Sequence, residues 1–388
     1  MPNWMRLSLA IAMVCAIFLS TSSWSVTDTQ QQTACMLPLA KQDRHAIHVV
    51  FLNPGESTSD KGSGDFWLNV SKTMQAAAED FGIELEILYA ERDHLLAQQQ
   101  ADKVLSRNIL PDFLIVVNEK MIAESLIKKA NSAGVRTLLI LNTLSERQQL
   151  TMGGPRQKYP CWIGELVPDN REAGYLLADH LRQAMRKKNT SVKTLNLLAI
   201  TGDYVTQASL DREKGLQDFL AAHTDVKLKR TYVGLWKKQR AQQMVSMALQ
   251  QDKDIDAVWA ANDAMALGAL AAIEKQPKKV LVGGINWDEQ AIQKLASQEL
   301  AVDVGGHFML GGWAMVLIHD YARGHDFASE SLSFKPLGFV GLTADHGVTK
   351  VAGFPYAKIK KLDFLKLSKT EKLTQPYRFD VNILLQNQ

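Results

Sequence analysis

The sequence predicts an α/β protein of two doubly wound parallel-sheet lobes, and three observations carry that expectation. From residue 46 onward, short apolar β-like runs alternate with helical patterns. The connections between them are short, as they are where helices cover both faces of a parallel sheet. The rhythm breaks at residues 143–160 and then restarts, which puts a junction between two such units near Leu166. A chain of 388 residues has room for both.

In the first series, "AIHVVFLN" (46–53) reads as a strand and "DFWLNVSKTMQAAAEDFG" (65–82) as a helix stopped by Gly82. The strand "IELEILYA", the helix "HLLAQQQADKVLSR" and the strand "PDFLIVVN" follow. The helix "EKMIAESLIKKANSAG" and the strand "VRTLLILN" (135–142) complete it. "TLSERQQLTMGGPRQKYP" (143–160) contains Gly-Gly-Pro and no apolar period, so it reads as a loop. "CWIGEL" is one more strand, and Pro168 and Asp169 open the helix after it.

The second series runs through "VKTLNLLAITG", "SLDREKGLQDFLAAH", "VKLKRTYVG", "QRAQQMVSMALQQ" and "DIDAVWA". The apolar helix "AANDAMALGALAAI" (260–273) comes next, then "KKVLVGGIN" and "EQAIQKLASQ". Residues 300–324 give a strand, a glycine pair and a helix, and the tail after Phe334 holds strand-like pieces that periodicity does not place. In "AANDAMALGALAAI" two polar residues, Asn262 and Asp263, stand where a strand meets a helix. One of them serves as N-cap, accepting from the free amides of the first turn. The other is free to face the region beyond the carboxyl ends of the strands, where open α/β sheets bind ligands.

With 46% hydrophobic and 22% charged residues the composition is that of a globular protein. The formal charge of +3 gives no argument for a nucleic-acid partner. The first 25 residues place Arg6, an apolar run from Leu7 to Leu19 and small polar residues in the order of a secretory signal peptide. That run is short for a membrane span, and Ser23 and Ser25 suit cleavage near Val26. Export would leave Cys35 and Cys161, which permits one disulfide or two thiols.

Catalytic signals are few. The loop "NPGESTSDKGSGDFW" (53–67) meets neither the P-loop nor the dinucleotide pattern. Ser57, Ser63 and Ser209 lack a nucleophile elbow, and the scattered histidines and cysteines give no metal spacing. Phe66 and Trp67 are large rings at a ligand-facing helix start, suited to the core or to the apolar face of a sugar. Asp211 and Glu213 suit a helix start, whereas Arg212 between them opposes the helix dipole.

The stretches "ASLDREKGLQDFL", "ANDAMALGALAAIEK" and "VLVGGINWDEQAIQKL" resemble the type 1 periplasmic binding proteins, which include ribose, galactose and autoinducer-2 receptors. The likeness spans residues 46–325, and "NDAMALGAL" followed by "VGGIN" is its most specific part. It implies two lobes joined by three crossovers, with a small-molecule ligand between them and closure by hinge motion. It further implies a monomer in the periplasm that is no enzyme and carries no cofactor or metal. The partner is then an ABC permease, or alternatively a membrane sensor kinase or cyclase.

The implied lobes are residues 46–165 plus 306–340 and residues 166–305 plus 341–388, behind a signal peptide (1–25) and an arm (26–45). The implied ligand residues are Phe66 or Trp67 after the first strand, Asn142 ending the fourth, Arg212 and Trp236 in the second lobe, and Asn262. In that assignment Asp263 caps the helix and Asn262 faces the ligand. Two positions depart from the sugar binders: Asn286 replaces an aspartate, and Gly306, with His307 beside it, stands where ribose binders carry a hinge glutamine. An amide in place of a carboxylate leaves Arg212 to meet an anionic or electron-rich ligand.

Overall fold

The computed structural model describes residue 35, residues 46–58, 62–188, 194–274, 278–347, 359, 361–370 and 375–385. The expected signal peptide and all of the arm except Cys35 lie outside the described residues. In the first lobe the strands are β1 (His48–Asn53), β2 (Glu84–Tyr89), β3 (Phe113–Val116), β4 (Arg136–Ile140) and β5 (Trp162–Leu166). The helices between them are α1 (Phe66–Phe81), α2 (His94–Leu105), α3 (Ala123–Ser132) and α4 (Glu146–Met152). The chain then crosses into the second lobe through α5 (Asn170–Lys188), β6 (Leu195–Thr201), α6 (Gln207–Ala222), β7 (Val226–Val233) and α7 (Lys238–Gln251). The second series ends with β8 (Ala257–Ala260), α8 (Asp263–Ile273), β9 (Leu281–Asn286), α9 (Glu289–Ala296) and β10 (Val302–Gly305). It returns to the first lobe with α10 (Leu310–Ala322) and β11 (Ser333–Phe334), and crosses once more to β12 (Val340–Thr343).

Two six-stranded sheets result, in the orders β11-β5-β4-β3-β1-β2 and β12-β10-β9-β8-β6-β7. Every pairing is parallel except β10 with β12. The strands of a doubly covered sheet are buried on both sides, and β3, β8, β9 and β10 are buried at every residue. The order reverses beside β1 in one sheet and β6 in the other, so both switch points open towards the space between the lobes. Three chain crossings join the lobes: after Leu166, after Gly305 and between Phe334 and Val340. Cys35 and Cys161 are disulfide-bonded, tying the arm to the start of β5, and the Tyr321 hydroxyl donates to the Cys35 carbonyl.

Three local expectations are corrected. Residues 146–152, expected as loop, form α4, because Ser145 accepts from the Gln148 amide and the Gln148 side chain reaches back to the Ser145 amide. The strand-like "RFDVNILL" is a single 3-10 turn at Val381–Leu384. The tail, expected on the second lobe, packs on the first over most of its described length. Trp313 of α10 stacks on Phe379 at 5.4 Å, and Asp320 of α10 accepts from the Lys369 amide and the Tyr377 hydroxyl at 2.8 Å each. Phe364 lies against Gly312, whose missing side chain makes the space. Isolated aromatic anchors of this kind leave no period in the sequence.

Candidate functional site

The loops at the carboxyl ends of both sheets face each other across one cleft of about 560 Å³, open solvent included. From the first lobe come Ser63, Phe66, Trp67, Arg92, Glu119, Leu141 and Asn142. The second lobe and the crossings add Asn170, Thr206, Ala208, Arg212, Trp236, Asn262, Asn286 and His307. All eight residues expected at a ligand site, from Phe66 to His307, therefore line the same space.

The aromatic walls are held from behind. Asn53, at the end of β1, donates to the Trp67 carbonyl and to Ser71, and accepts from the Gly55 amide, which fixes the loop before α1. Phe66 sits edge-on to Trp67 and stacks on the His307 imidazole at 4.4 Å. On the other side, Leu235 and Trp236 both take left-handed backbone, a strained conformation for bulky residues. The indole of Trp236 lies over Gly202, where a β-carbon would come within 2.1 Å of the ring. Its N–H donates to Asp203 at 3.1 Å. Local strain is thus held by a specific bond and a specific gap.

Arg212 is the buried charge of the site, 4% exposed, in the second turn of α6 rather than at its first residues. The helix starts earlier than expected, which takes the cation away from the unfavourable end of the dipole. Its guanidinium donates to Asn170 Oδ1 at 3.0 Å, to the Ala261 carbonyl at 2.6 Å and to His307 Nε2 at 3.0 Å. Burial brings its pKa down to about 10, so it stays protonated at neutral pH. His307 is held well below the usual imidazole range, first by burial and then by the charge of Arg212. A guanidinium only donates, so Nε2 accepts and the ring proton sits on Nδ1.

The asparagine–aspartate pair departs from expectation in the cap alone: Asn262 lines the cleft as expected, but it and not Asp263 caps the helix. Asn262 is the N-cap of α8: its Oδ1 accepts from the Met265 amide at 2.9 Å while its Nδ2 donates to the Trp236 carbonyl. It caps and lines the cleft at once. Asp263 turns inward, fully buried, and accepts from the Asp288 amide at 2.8 Å. Asp263, Asp288 and Asp303 form a buried acidic group behind the cleft. Burial, then mutual repulsion, raises the first two well above the ordinary carboxylate range.

Sequence reasoning missed the cross-lobe contacts. Lys120, after β3, pairs with Asp203, after β6, at 2.8 Å. Burial alone would raise Asp203, but Lys120 and the Thr206 and Val205 amides outweigh it and hold it well below its ordinary value. The Gly62 carbonyl accepts from the Lys238 amide, and Asp288 accepts from the Asp65 amide. Arg92 and Glu119 pair at 2.7 Å in the cleft wall. Only proximity in the fold brings these residues together, and no motif announced them.

Residues 55–326 match the family model described as periplasmic binding protein domain. A crystal structure of a periplasmic sugar-binding protein from Pseudomonas fluorescens is 34% identical, with a TM-score of 0.77 over 88% of this chain and 100% of that one. The ribose import binding protein of Bacillus subtilis is 22% identical over 62% of this chain and 71% of its own length. The arabinose-transporter binding protein of Shewanella sp. ANA-3, solved with L-arabinofuranose, superposes with a TM-score of 0.65 at 18% identity, over 81% of this chain and 96% of that one.

Proposed function

The chain belongs to the periplasmic binding protein domain family, a family of binding proteins rather than enzymes, and from that premise we propose that it captures a small, polar, sugar-like ligand in the interlobe cleft for uptake by an ABC transporter. One observation carries the proposal: a single cleft is walled from both lobes by rings, amides and a buried arginine. Rings of Trp67 and Trp236 suit the apolar faces of a carbohydrate, while Asn142, Asn262, Asn286 and Arg212 suit its hydroxyl edge. The names of the ribose-binding relative and the sugar-binding neighbour point the same way.

The partner is an ABC permease that receives the closed, loaded form. One chain supplies both walls of the cleft, so a monomer suffices. Export to the periplasm rests on the family and on the charged, apolar and small-residue order of residues 1–25. A thermal-shift screen of pentoses, hexoses and polyols, followed by calorimetry on the hits, tests the reading. A ligand that binds the folded chain and not the unfolded one raises Tm as its concentration exceeds Kd. No shift across the screen with folded protein contradicts it.

A further inference from the structure

Charge narrows the carbohydrate reading to a class of sugar, and the narrower reading rests on the broader one. A guanidinium has five N–H groups. Three bonds of Arg212 go to neutral acceptors on Asn170, Ala261 and His307, and among the described residues none goes to a carboxylate. The remaining ionisable residues of the wall cancel, Arg92 against Glu119, as Lys120 and Asp203 do beside them. One positive charge is left in the wall, and it is buried; Asp263 and Asp211 attract it, but neither is bonded to it. A buried charge with no carboxylate bonded to it is costly.

A second feature points to an electron-rich ligand. The Nδ1 of His307 is buried without a partner in a ring that lines the cleft, and with Nε2 accepting from Arg212 it is a donor. The amides at positions 142 and 286 bring no competing negative charge into the wall. Planar carboxylates match the two-pronged donor geometry of a guanidinium, and a carboxylate supplies one charge where a phosphate monoester brings nearly two.

We propose that the ligand is a monoanionic sugar, a uronate or aldonate, whose carboxylate is received by the unspent N–H groups of Arg212. The Nδ1–H of His307 gives a further donor for its oxygens. The test uses matched pairs at pH 7 by calorimetry: galacturonate with galactose, glucuronate with glucose, gluconate with sorbitol and ribonate with ribose, plus glucose 6-phosphate. The acid of at least one pair should bind about tenfold or more tightly than its neutral partner, a difference of about 1.4 kcal/mol. That preference should vanish in Arg212→Gln and shift towards the neutral partner in Asn286→Asp, a variant that keeps every bond of Arg212 and adds a carboxylate to the wall.

Neutral sugars that bind as well as their acids in every pair that binds overturn the proposal and leave the carbohydrate reading standing. So does an acid preference that survives both substitutions, or binding of the phosphate alone. If no compound binds the folded protein, both fall together.

Discussion

At the scale of single residues, Arg212 shows how much a sequence position can conceal. Beside two acids in an amphipathic helix it has the look of a surface cation, yet the fold buries it against Asn170, Ala261 and His307. Arg212→Ala should weaken ligand binding by about 2–4 kcal/mol, since it leaves buried polar ligand atoms without a charged donor. Calorimetry checks this beside circular dichroism for folding, and a folded variant with unchanged affinity contradicts it. The neighbouring case of Asn262 and Asp263 was half legible. Two polar residues at the start of an apolar helix announced a cap and a second role, but not which residue took which. Chain direction at the end of β8 decides it, turning Asp263 back towards Asp288 and leaving Asn262 both to cap and to face the cleft.

At the scale of elements, the alternation of strand and helix was readable because both periods persist over many residues in a doubly wound sheet. The misses have local causes. Ser145 and Gln148 hold the spacing of a capping box, a signal present in the sequence but outweighed by the Gly-Gly-Pro that follows. The tail is held by single aromatic contacts and short turns, which have no period to detect. Close packing of α5 on α6 was also invisible: a β-carbon at Gly215 would come within 1.9 Å of the Arg171 carbonyl, and one at Gly174 within 1.9 Å of the Arg212 carbonyl. These glycines set the depth at which Arg212 sits. Gly215→Ala should therefore destabilise the protein by about 1–3 kcal/mol through overpacking, despite the higher helix propensity of alanine. Urea denaturation measures it, and equal or greater stability of the variant would show that the helices separate freely.

At the scale of the whole molecule, the lobes meet through a few polar bridges, and the second lobe holds a buried acidic group behind the cleft. Lys120 with Asp203 and Asp65 with Asp288 bridge the two sides of the cleft, so the lobes are held together by polar contacts. Behind it, burial pushes Asp303 up to about 8 and raises Asp263 beside it. The folded chain thus keeps protons that the unfolded chain releases near the ordinary carboxylate value of about 4. Their stabilising contribution is complete below that value and is lost as pH rises through the folded one. Wild-type Tm should fall between pH 5 and pH 8 more steeply than that of Asp303→Asn, which has no proton to lose. Parallel profiles contradict the shared burial of these acids.

The central claim, that a carbohydrate is held between the two lobes, meets its most direct test in the intrinsic fluorescence of Trp67 and Trp236. These residues stand on opposite walls of the cleft, whereas Trp162, Trp259, Trp287 and Trp313 are buried. The best ligand from the thermal-shift screen should change the emission of wild-type protein on titration. Replacing both residues by phenylalanine should remove most of that change while calorimetry still detects binding. A double variant that keeps the full fluorescence response would place the ligand away from this cleft.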